Sequence, residues 1–136
     1  MVQLVLPAEV ERLGAFLEVI ESFARDLGFV PKRIQKLILI MEEALLNVVK
    51  HAYDEEGTGE VEVRCWEDGE RIFIEVRDRG RPFNPLDVPE PDLSKGLPER
   101  PIGGLGVFLI RKIADDVSYR REKETNVLTL VLRKEP

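Results

Sequence analysis

The spacing of apolar residues in this chain changes from a three/four rhythm to strict alternation, and that change limits the folds open to it. Leu13, Phe16, Leu17, Ile20, Phe23, Ala24 and Leu27 follow helical spacing, predicting an amphipathic helix over about 8–27 with Gly28 as its C-cap. Pro31 suits the first turn of a second helix, whose stripe is Ile34, Leu37, Ile38, Met41, Leu45, Val48 and Ala52, reaching about Tyr53. Ahead of both, Val2, Leu4 and Leu6 alternate in a short strand closed by Pro7.

After an acidic, glycine-containing break at 54–59 the period becomes two. Val61, Val63 and Cys65 share one face of a strand, and Ile72, Ile74 and Val76 one face of the next. Asp68-Gly69 between them reads as the hairpin turn. A long loop then runs to Ile102 and holds Pro82, Pro85, Pro89, Pro91, Pro98 and Pro101. Loops of that length inside compact domains tend to be functional lids or disordered. A third helix opens at 103–106, apolar at Leu105, Leu109, Ile113 and Ala114. A last hairpin, 117–122 and 127–132, turns near 124–126 and reads as largely apolar. The order predicts an α+β fold: a two-layer sandwich with a mixed, mostly antiparallel sheet covered on one face by three helices. Residues 1–136 read as a single domain, with a lid at about 81–104.

Bulk properties exclude several functions. The 136 residues suffice for one domain and its core. A net charge of −6 argues against direct nucleic-acid binding, which needs clustered Lys and Arg. The single cysteine, Cys65, allows no internal disulfide and no cysteine-based metal cluster. No signal peptide or membrane span is evident, so the expected location is the cytoplasm.

Three clusters carry chemistry. Glu43, Asn47 and His51 stand at i, i+4 and i+8, about 40° apart around the second helix, in one polar line beside the apolar stripe. The Asn47 carbonyl is a suitable hard ligand for Mg²⁺, and Glu43 could accept a proton from an attacking hydroxyl. The plainer reading is a surface line with His51 packed on Tyr53. Asp78 shares the parity of Ile72, Ile74 and Val76, so the core-facing side of that strand ends in a carboxylate. Such a charge is costly unless something hydrogen-bonds it. The exocyclic amine of adenine is a suitable donor, and Gly80 would let the backbone approach a flat base and take unusual torsions. The plainer reading is a turn aspartate at a strand end. Gly103, Gly104, Leu105 and Gly106 open a helix, where free amides favour an anion. A P-loop signature is absent, and these glycines follow a lid instead of a strand, which fits a dinucleotide-binding unit poorly.

In order, "EEALLNVVKHAY", "DRGRPF" and "GGLGVFLI" resemble the N, G1 and G2 boxes of the GHKL (Bergerat-fold) ATP-binding superfamily. The resemblance covers about 34–132. Within the superfamily the match falls nearest the anti-sigma-factor serine/threonine kinases of sporulation and general-stress control, through Glu43, Ala44, Asn47, His51, Ala52 and Tyr53. It implies that Asn47 coordinates Mg²⁺ and that Glu43 is the base for a serine hydroxyl. It further implies that Asp78 binds the adenine amine with Gly80 by the base, that His51 and Phe83 belong to the nucleotide site, and that Gly103, Gly104, Leu105 and Gly106 lie against the phosphates of ATP. Such proteins dimerise, sequester a sigma factor and phosphorylate a STAS-type antagonist. The chain departs from the family in the lid stretch "SKGLPERPIGG" and at the last hairpin, where Thr125-Asn126 replaces Gly-Thr. Asn126 stands where a hydroxyl would lie near the base. Two rivals stay open: the ATP-binding part of a histidine kinase, which usually has Asn at the position of Glu43, and an ATP-binding switch that transfers no phosphate.

Overall fold

The computed structural model describes residues 1–87 and 104–135. Five strands are described, β1 (Val2–Pro7), β2 (Glu60–Asp68), β3 (Arg71–Asp78), β4 (Asp116–Glu122) and β5 (Thr125–Arg133), with helices α1 (Leu13–Asp26), α2 (Pro31–His51) and α3 (Gly104–Ile113). The sheet order is β1-β2-β3-β5-β4, and all four pairings are antiparallel. The α+β sandwich is as expected, but among the described residues no strand pair is parallel, so the sheet is not mixed. No described helix is long and apolar enough to cross a membrane.

One face of the sheet and the three helices share a core. Val61, Val63 and Cys65 of β2, Ile72, Ile74 and Val76 of β3 and Leu128, Leu130 and Leu132 of β5 are buried with Phe16, Ile20, Leu37, Ile40, Met41, Leu45 and Ile110 of the helices. Each such side chain contributes about 1.5–3 kcal/mol by leaving water. Cys65 is one of them: burial pushes its thiol up to about 12, so it packs and does not react.

Several boundaries move, each for a physical reason. α1 begins at Leu13 instead of 8, because the preceding residues are tied to the 57–59 loop by Ala8 N–H to Gly59 O and Gly57 N–H to Ala8 O. Its end is as expected. Gly28 has φ +92° and Phe29 N–H returns to Ala24 O, the six-to-one bond of a Schellman cap. α2 stops at His51, and Tyr53 leaves the helix to donate its hydroxyl to Glu60 O. The β2–β3 register pairs Asp68 with Arg71, so the turn is Gly69–Glu70, with only Gly69 at positive φ. On α3 the buried positions are Gly106, Val107 and Ile110, whereas Leu109, Ile113 and, just past the helix end, Ala114 are half-buried.

The last hairpin turns at Lys123–Glu124, with Lys123 at φ 57°. Its strands are unequal. β5 is apolar and buried, so it inserts beside β3, and the charged β4 becomes the edge. Charge on an edge strand discourages pairing with another chain. This order moves Asn126 out of the turn and into β5, directly opposite Asp78.

Candidate nucleotide site

The end of β3 meets the C-terminal half of α2, and the predicted polar residues converge there. Asn47 and Asp78 line one pocket with Ala44 and Val48 of α2 and Ala52 just beyond its end, and the far wall is Phe83, Pro85, Tyr119 and Asn126. Most of the lining is apolar or aromatic, with a few polar groups facing inward, the usual character of a small-molecule site. The cavity is narrow, about 20 Å³. That admits one water-sized group. A planar ring enters only if part of the lining moves; Phe83 lies outside helix and strand on the segment after β3, and Pro85 opens the single 3-10 turn Pro85–Asp87 that follows it.

Asp78 is 7% exposed. Its Oδ1 accepts from Gly80 N–H at 2.9 Å and from Asn126 Nδ2 at 2.9 Å. Burial raises the Asp78 carboxyl above its ordinary pKa, opposed by those two bonds and by the nearby Arg121 guanidinium. The carboxylate therefore sits in the wall of a pocket and not in a solvated turn.

Asn47 is buried, and its Nδ2 has no hydrogen-bond partner. The two ends of an amide exchange places by a half-turn, so one polar atom of this side chain is left over for a ligand. An orphaned amide in a pocket wall fits a site that receives a polar group, including an oxygen-seeking cation. His51, one turn on, stacks on Phe83 with ring centroids 5.0 Å apart and 28° between planes, and not on Tyr53. Burial, Lys50 and Arg81 hold its imidazole below the ordinary pKa, so it is neutral at pH 7.

Glu43, one turn before Asn47, reaches the start of α3. A Cβ at Gly106 would lie 3.1 Å from the Glu43 Cδ and nearer still to Oε2. Gly104, Leu105 and Gly106 form the opening turn of α3, whose backbone dipole favours negative charge. Gly103 lies outside the described residues, as does most of the expected lid.

Gly80 differs from its expected part. Its φ is not left-handed. Glycine is needed there because a Cβ would meet the Ala52 carbonyl, 2.5 Å from its carbon, while Arg81 N–H donates to that same carbonyl at 2.9 Å. The contact locks the end of β3 to the end of α2, and backbone cannot yield as a side chain does. Gly80→Ala is therefore expected to cost about 1–3 kcal/mol or more, visible as a lower melting temperature without nucleotide. An unchanged melting temperature would mean the two ends are not packed as described.

In the sequence Tyr53 stands out only as the end of a helix, a packing partner for His51 and part of the family pattern, and Tyr119 and Arg121 are not singled out. The Tyr53 hydroxyl, besides donating to Glu60 O, accepts from Arg79 N–H at 3.0 Å, pinning the residue after Asp78. Tyr119 and Arg121 reach across from β4 to Asn126 Oδ1, at 2.5 and 3.0 Å. Their parity with Val117 is the signal that could have found them, once the turn is placed at Lys123–Glu124.

The sequence pattern of the Histidine kinase-like ATPase domain matches residues 6–132. The chain belongs to that family. An ATPase domain of this kind uses ATP. Relatives named Serine-protein kinase RsbW include that of Halalkalibacterium halodurans, 33% identical over 89% of this chain and 76% of the relative. The Bacillus velezensis protein of the same name is 30% identical over 93% of this chain and 81% of its own length. The fold also matches the RsbU and RsbW domains of a Mycobacterium tuberculosis protein, at TM-score 0.62 and 15% identity over 98% of this chain. This chain spans 32% of that longer protein. The catalytic domain of histidine kinase ThkA matches at TM-score 0.58 and 12% identity, over 98% of this chain and 97% of that domain.

Proposed function

We propose that this ATPase domain is an anti-sigma-factor-type serine/threonine protein kinase, which phosphorylates a STAS-type antagonist and sequesters a sigma factor. It acts in the cytoplasm as a homodimer and uses Mg-ATP. The observation that carries this reading is the position of Glu43, a carboxylate one turn from the orphaned Asn47 amide and packed against Gly106 in the first turn of α3. The relatives named as serine-protein kinases match over most of the chain, which supports the same reading.

The residues divide the work by position. Asp78 accepts the adenine amine, and Ala44, Val48 and Phe83 exclude water around the base. The amides of Gly104, Leu105 and Gly106 face the phosphates, where the dipole of α3 offsets their charge. Asn47 would offer an amide oxygen to Mg²⁺, which when bound would neutralise charge on the phosphates. Glu43 orients the serine hydroxyl and takes its proton as the oxygen bonds to the γ-phosphorus, and the bond to the β-phosphate oxygen breaks to release ADP. Neutral His51 backs Phe83 and adds no charge of its own.

The test is transfer of label from γ-labelled ATP to the STAS protein encoded nearest to this gene. Labelled serine or threonine on that protein is expected. If the two proteins bind each other and no label moves, the chain is an ATP-dependent switch instead of a kinase.

A further inference from the structure

Asn126 makes more hydrogen bonds at the base pocket than any other described side chain there. Its Nδ2 donates to Asp78 Oδ1 at 2.9 Å and to Arg81 O at 2.8 Å. Its Oδ1 accepts from Tyr119 OH at 2.5 Å, from Arg121 Nη1 at 3.0 Å and from Phe83 N–H at 3.4 Å. Two acceptors face one end of the amide and three donors face the other. A half-turn would set donor against donor and acceptor against acceptor, so the orientation is fixed. Arg121 is itself held by Gly80 O at 2.9 Å. The residue is 4% exposed and faces Asp78 across β3 and β5.

We propose that Asn126 is a positioning residue that makes this pocket select adenine over guanine, by holding Asp78 as a fixed, acceptor-only group. The proposal rests on the adenine reading of the pocket. At position 6 adenine carries an amine donor and guanine a carbonyl acceptor. An ionised carboxylate accepts from the first and repels the second, whereas a protonated carboxyl can donate to the second. Burial pushes Asp78 toward the protonated form, and the Asn126 amide is the first of the groups that oppose it. The same amide stops the carboxyl group from turning, because Oδ1 is committed to it and to Gly80 N–H.

The residue does this work through hydrogen-bond donation, so the donor can be isolated. Thr and Val have the same shape and differ by a hydroxyl, and both suit a strand. The dissociation constants of ADP and GDP are measured for wild type, Asn126→Thr and Asn126→Val. Wild type is expected to prefer ADP, and Asn126→Thr to keep that preference within about threefold. Asn126→Val is expected to lose at least about tenfold of it, the scale of one hydrogen bond to a charged group. Asn126→Asp, nearly isosteric, covers the case in which Asn126→Val does not fold. It sets a second carboxyl against Asp78, so one of the pair must hold a proton, and the ADP preference should again collapse.

A merely structural Asn126 would weaken both nucleotides by one factor. An unchanged ADP-to-GDP ratio in Asn126→Val and Asn126→Asp, with wild type selective, overturns this proposal alone. A wild type that binds neither nucleotide overturns the base reading beneath it.

Discussion

Asp78→Asn is expected to remove most of the thermal stabilisation that Mg-ADP confers, while leaving the melting temperature without nucleotide unchanged or higher. Both halves follow from one environment. The carbonyl oxygen of the substituted side chain can take over the bonds from Gly80 N–H and Asn126 Nδ2, which fixes the new amide with its NH₂ toward the pocket. There it sets donor against donor at the adenine amine. A lost hydrogen bond to a charged group is worth about 1.5–3 kcal/mol, so binding should weaken by about 10- to 150-fold. Ligand at 100 times Kd stabilises by about 2.7 kcal/mol, and a loss of affinity of about a hundredfold cuts that to about 0.4 kcal/mol.

The second half is a sign argument. The folded-state pKa of Asp78 is raised, chiefly by burial. Its ionised form is therefore less favoured in the fold than in the unfolded chain, and at neutral pH the charge subtracts from stability. A neutral isostere relieves that penalty. A variant that lost apo stability and kept its full response to Mg-ADP would instead make Asp78 a structural turn residue, and the nucleotide assignment of the pocket would fail with it.

Asp78 was legible in the sequence because its signal is local: parity along β3 puts it on the core face, and a carboxylate there needs a reason. Glu43, Asn47 and His51 were legible as a line for the same reason, helical spacing. Asn126 was legible only through the family resemblance, as a residue near the base; its bond to Asp78 was not, because that partner lies 48 residues away. That pairing depends on β5 inserting beside β3 in place of β4, a choice made by the burial of Val127, Leu128, Leu130, Val131 and Leu132 against a charged β4. The turn was misplaced because Lys123 takes the positive φ that sequence reasoning reserves for Gly or Asn. The sequence reads Gly80 only as a place for close approach to a base and for unusual torsions; its nearest constraint in the fold is the Ala52 carbonyl, a contact between elements that no spacing rule reports.

Glu43→Gln is expected to bind Mg-ADP as wild type does and to transfer phosphate about 10²- to 10⁴-fold more slowly, the usual span for loss of a positioned base. Glutamine keeps the length and volume of the side chain, so the packing at α3 persists while the carboxylate's charge and proton acceptance are lost; Glu43→Ala removes the packing as well. Gly106→Ala tests the same chemistry from the other side. Its Cβ would press on the Glu43 carboxyl, the far end of a flexible chain that can move aside without disturbing the core. Alanine is also better than glycine in a helix by about 1 kcal/mol. This variant should therefore be as stable as wild type or more so, keep most of its nucleotide affinity, and lose transfer because the base is displaced. Reduced labelling in both variants, with the Mg-ADP shift retained, places Glu43 at the transfer step. If Glu43→Gln labels the STAS protein at the wild-type rate, the proton leaves by another route, and the contact between Glu43 and the first turn of α3 serves packing alone.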